Sequence, residues 1–124
     1  MAYEIPGFSF TLPAGQDFRT GAGQFRFVNI NSVAKAVVPA LGGQVVGVRQ
    51  MRPNLNEATT IVGSGVSFVE AAGAITAGQE VTCDATGRAV VAAAGQRVHG
   101  IAFETASGAG IQIAVYLSTR PAVV

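Results

Sequence analysis

The chain contains no tryptophan, one histidine and one cysteine, and few charges of either sign. Each scarcity removes a class of function. A lone Cys83 cannot close an internal disulfide and fits a chain folded in a reducing cytosol. A lone His99 excludes histidine-rich metal centres and leaves any Ser-His arrangement resting on one residue. Its aligned partner in the repeat described below is Val46, so the position reads as a strand residue facing solvent or a partner. Asp17 and Asp84 are the only aspartates and the five glutamates are dispersed, which leaves no acidic cage for calcium or magnesium. Eight basic and seven acidic residues are scattered singly, and a formal net charge of +1 offers no basic stripe to nucleic acid. No run approaches the roughly 18 apolar residues of a membrane span. The start Met1-Ala2-Tyr3-Glu4 lacks the basic segment and apolar core of a secretory signal. The expectation is a soluble protein made in the cytoplasm, without catalytic residues, metal, cofactor, nucleic acid or membrane.

The glycine-rich pieces add no chemistry. Thr20-Gly21-Ala22-Gly23-Gln24 lacks the Lys-Ser/Thr of a phosphate loop and precedes a strand. Gly63-Ser64-Gly65 lacks the spacing of a nucleophile elbow, and a strand follows where a helix should.

What the chain does have is apolar material and turns. Of 124 residues, 49% are hydrophobic, only 12% are charged and 16 are glycine. That length makes one domain able to bury roughly two thirds of its unfolded surface. So little charge leaves too little polar material to cover a monomer, and oligomerisation is the default expectation.

One stretch is written twice. Residues 28–62 align without a gap on residues 81–115, and nine of twelve matched pairs are identical. Val28/Val81, Ala36/Ala89, Gly42/Gly95, Gly47/Gly100 and Val62/Val115 are among them. Asn31/Asp84, Lys35/Arg88 and Val48/Ile101 keep their chemistry. Two halves of one supersecondary unit, each covering the other's apolar face, read as a single pseudo-symmetric β domain over 24–124.

In the second half, Glu80–Asp84, the turn Asp84-Ala85-Thr86-Gly87 and Arg88–Val91 predict a hairpin. In the first half Asn31-Ser32-Val33-Ala34 has no glycine, which predicts a different turn geometry. Gly47 and Gly100 sit inside strands at equivalent positions and mark a shared bend. Further strands are expected at 24–30, 58–62, 66–70 and 111–117, with room for one helical turn at 73–78. The expected architecture is an all-β barrel or clip of short strands.

Residues 1–23 read as an amino-terminal arm. Six of the nine aromatics lie in the first 27 residues, and Phe8, Phe10 and Leu12 alternate with Ser9 and Thr11 as a short strand. That strand either contributes to its own core or adds to a neighbouring surface. In the second case Phe8, Phe10 and Phe18 would supply contacts to a neighbouring subunit or host surface.

The segments "QFRFVNI", "VVGVRQMRP", "GVSFVEAAGAITAGQEVTCDATGRAVVAAAGQRVHGIAFETAS" and "IQIAVYL" resemble the capsid decoration, or cement, proteins of tailed bacteriophages. The resemblance covers most of residues 24–117. It implies a small β-tulip or β-clip and a structural virion protein without catalytic residues. It further implies a homotrimer that binds the major capsid protein on the outside of the expanded head and stabilises contacts between capsomers. The other reading is a carbohydrate- or receptor-binding β module on a virion surface, against which stand the absent Trp and the presence of Tyr only at 3 and 116.

Overall fold

A computed structural model describes residues 5–19 and 24–120. Among them there is no helix, and every regular element belongs to one strongly curled, half-barrel sheet. The strands are β1 (Ile5–Pro13), β2 (Arg26–Ile30), β3 (Ala36–Val37), β4 (Gly47–Arg49), β5 (Ala58–Glu70), β6 (Glu80–Cys83), β7 (Ala89–Val91), β8 (Val98–Ala102) and β9 (Gln112–Arg120). Their order is β3-β2-β4-β5-β9-β8-β6-β7, with β1 on the other edge of β5. All these pairings are antiparallel.

The order reads the same from both ends. β3-β2-β4 leads inward to β5 as β7-β6-β8 leads inward to β9. β5 serves both halves: its beginning pairs with β4 and β1, and its end pairs with β9. β1 therefore stands to the start of β5 as the end of β5 stands to β9. Leu12 faces Thr59 where Val69 faces Ile113. Ala14 and Ala71 then make parallel bridges to Ala36 and Ala89.

Several sequence expectations change here. Ala58–Val62 and Val66–Glu70 were separate strands in the sequence reading, yet they form one continuous β5 across Gly63-Ser64-Gly65. The turn at 77–78 replaces the expected helical turn. The gapless alignment fails after the loop that follows β8. Val48 faces Val62 while Ile101 faces Tyr116, so the offset grows from 53 to 54 residues and Val62 corresponds to Tyr116, not Val115.

The first hairpin also turns with the geometry of the second. Asp84 Oδ1 accepts from the Thr86 and Arg88 amides (2.9 and 2.8 Å), and the Gly87 amide donates to Asp84 O (3.1 Å). Asn31 Oδ1 accepts from the Val33 and Lys35 amides (3.1 and 3.0 Å), and the Ala34 amide donates to Asn31 O (3.0 Å). Ala34 takes φ 59° in place of Gly87 at φ 87°. The side-chain carbonyl of Asn31 does the work of the Asp84 carboxylate, and the fixed hydrogen bonds hold an alanine in a conformation that usually favours glycine.

Two cores result. Val69, Val81, Cys83, Ile113 and Val115 fill the concave side of the second half, and Phe27, Val48 and Val62 of the first half cover them. Phe18, Val28, Ala36 and Ile61 form a separate core inside the first half. The reason lies in three substitutions between equivalent positions. Phe10, Phe18 and Arg49 stand where the second half has Ser67, Ile75 and Ala102. The larger side chains fill the first concavity from within, whereas the second needs an outside cover.

Candidate docking surface

The chemistry-bearing side chains are turned inward. His99, expected from its alignment with Val46 to face solvent or a partner, is 5% exposed within the chain. Its Nε2 lies 2.7 Å from the carbonyl oxygen of Gly43, an atom that can only accept, so Nε2 carries the proton. Its Nδ1 is buried without a partner, and burial lowers the imidazole pKa from its ordinary value. The ring packs on Phe27 and borders a cavity of about 30 Å³ shared with Val45, Val46 and Leu117. Among the described residues no nucleophile is hydrogen-bonded to it.

Cys83 is buried and donates weakly to the Ala40 carbonyl at 3.3 Å. Burial pushes its thiol pKa up, which is the character of a packing residue. Burial would also raise the Asp84 pKa, but hydrogen bonds from Thr86 and Arg88 outweigh it and hold the carboxylate below its usual range. Asp84 is thereby committed to its turn.

Arg26, Glu70 and Arg88 form an ion network at 3.2 and 3.9 Å that ties β2 and the 84–88 turn to the end of β5. Arg49 is 1% exposed, lies 4.4 Å from the Phe18 ring centroid, and leaves Nε and Nη2 without partners. Burial lowers its pKa to about 10, helped by repulsion from Arg26 and Arg52.

The exposed large hydrophobic side chains include three aromatic ones, Phe8, Phe103 and Tyr116. β1 carries Phe8, 62% exposed, with its ring 5.7 Å from that of half-buried Phe10. Phe10 packs against the first-half core together with Leu12 and Val46. Phe18, the third contact residue named from the sequence, lies inside that same core and offers no surface to a partner. Residues 5–13 of the expected arm pair with the chain's own β5.

A second aromatic pair escaped the sequence reading. Phe103 and Tyr116 stack at 5.9 Å with their planes 16° apart, and they are 50% and 40% exposed. β9 sends Ile113, Val115 and Leu117 into the core, so strict alternation turns Tyr116 outward. The Phe103 amide donates to Ala114 O (2.8 Å), and the Glu104 carboxylate accepts from the Ala114 amide (2.7 Å), which fixes Phe103 beside β9. The alternation of Ile111 to Leu117 was the signal that could have found Tyr116; nothing local marked Phe103.

The fold and these side chains define an all-β domain with two aromatic pairs at its surface, and rings so placed are common anchors of protein interfaces. A family profile of phage cement proteins matches residues 13–117, and the chain belongs to that family. Its members are structural proteins of the phage capsid. A search of curated proteins returns no match.

Proposed function

We propose that this protein binds the outer surface of the expanded phage head and stabilises contacts between capsomers of the major capsid protein, as a homotrimer made in the host cytoplasm. The family match over residues 13–117 carries this reading. The two exposed aromatic pairs support it, since they give a small domain more than one apolar contact surface. Several weak contacts made together yield avidity, and binding the assembled lattice in preference to separate capsomers stabilises that lattice. Phe8, with Phe10 beside it, serves as a contact to the capsid or to a neighbouring subunit. Phe18 acts from within by holding the loop after β1 to the core. The recurring turn hydrogen bonds and mirrored strand order support descent of the two halves from one unit.

The test is cosedimentation with expanded and unexpanded heads prepared without this protein, counting bound copies. Saturable binding to expanded heads alone is expected. Equal affinity for both forms would overturn the selectivity, and binding to neither would overturn the function. In the latter case a glycan array would test the carbohydrate reading, for which Phe103 and Tyr116 form the available platform.

A further inference from the structure

The contact between the halves supplies a template for a contact between chains. Inside the chain, the outer side of the first half covers the concave mouth of the second. Gln50 Nε2 donates to Ser67 Oγ at 3.1 Å, and the Phe27 ring packs 5.7 Å from His99. Each residue has a positional equivalent in the other half. Gln50 corresponds to Phe103 and Phe27 to Glu80, on the outer side of the second half. Ser67 corresponds to Phe10 and His99 to Val46, at the mouth of the first half.

On those two surfaces Phe8, Phe103 and Tyr116 stand exposed, and Phe10 is half-buried. One presents Phe103 stacked on Tyr116; the other presents Phe8 beside Phe10. From this equivalence we infer that the two surfaces bind each other between copies, the Phe103–Tyr116 pair of one chain seating on the Phe8–Phe10 pair of the next. The second copy is the occupant because the proposed contact continues, in register, the interface already formed inside each chain. It places ring against ring where the internal contact has Gln50 against Ser67. Joining two different patches is heterologous and not the self-complementary contact of a two-fold dimer, and under the trimer reading it closes into a ring of three. It rests on the trimer reading above and gives that trimer its interface.

The experiment uses light scattering after gel filtration of the full chain and of Phe8→Ser, Phe103→Ser and Tyr116→Ser, with melting curves to establish that each variant folds. Wild type is expected as a trimer, and each variant to dissociate at concentrations at least tenfold higher. Chains carrying Phe8→Cys are also mixed with chains carrying Phe103→Cys and oxidised; buried Cys83 does not compete. Cross-links in the mixture and none in either variant alone are expected. A wild-type trimer that the serine variants leave intact would overturn this interface and keep the trimer. A wild type that stays monomeric at all concentrations would overturn both. Failure to bind heads by an intact trimer that the variants disrupt would overturn the head-binding function and uphold the interface.

Discussion

Replacing Gly100 with alanine tests how tightly β8 lies on β9. A Cβ there would stand 2.3 Å from the Tyr116 carbonyl oxygen and 2.8 Å from Val115 Cγ1, where ordinary contact begins near 3.4 Å. Neither neighbour can swing away, since one is backbone and the other is core. The strands must separate by about 1 Å, which takes a ladder hydrogen bond near 2.9 Å beyond its useful range. Losing one such bond costs about 1 kcal/mol, and overpacking adds roughly 1–3 kcal/mol. The expected loss is ~2–4 kcal/mol, a large part of a total of about 5–15 kcal/mol. At about 4 °C per kcal/mol for a domain of this size, Tm falls by roughly 8–16 °C. Gly108→Ala is the control, because a Cβ there meets nothing within 4 Å. Thermal melts of both proteins decide the matter: a Gly100→Ala midpoint within two or so degrees of the control, on the order of the ±0.5 kcal/mol of a neutral surface change, would refute the reasoning.

Ala34→Gly should raise stability by up to about 1 kcal/mol in denaturant melts, because it relieves a left-handed alanine at the cost of a more flexible unfolded chain. Gly87→Ala should do the reverse and more, since its Cβ would meet the Phe27 carbonyl oxygen at 2.4 Å; an unchanged urea midpoint would contradict this. Arg49→Met should leave stability unchanged or raise it by about 1–2 kcal/mol, because it removes a buried cation with two unpartnered nitrogens; a loss above ~2 kcal/mol would show that the guanidinium is needed. The neutral form of His99 is favoured in the fold, so its stabilising effect is complete above the ordinary pKa of 6.5 and declines as pH falls from there through the lowered folded value. Melts from pH 7.5 to 5, with an NMR titration of the ring, test this; a His99 titrating above 6.5 would reverse the sign.

Much of the fold was legible because the second half obeys local rules. Asp84 and Gly87 announce their turn, and the strands beside it follow. The first half hides the same turn behind Asn31 and Ala34, where the hydrogen bonds survive but the glycine signal does not. The continuity of β5 through Gly63-Ser64-Gly65 was masked because glycine usually breaks a strand. Its pairing with β4, β1 and β9 is a tertiary property. The burial of His99 and Phe18 depends on which side of the curled sheet is covered, and alternation alone does not set that. Of the exposed aromatic pairs, Phe8 was visible from its alternation, while Phe103 meets Tyr116 only once β8 and β9 are set side by side.

β5 has a mechanical consequence. It is one covalent thread shared by both halves, gripped by β1 and β4 near its start and by β9 near its end. Antiparallel ladder bonds lie across the strands, so a pull along β5 loads each ladder in shear, with many bonds resisting together. A pull across the sheet would open them one at a time, as a zipper does. A load that stretches this domain lengthwise meets its stiff direction, and one that peels it from an edge meets its weak one.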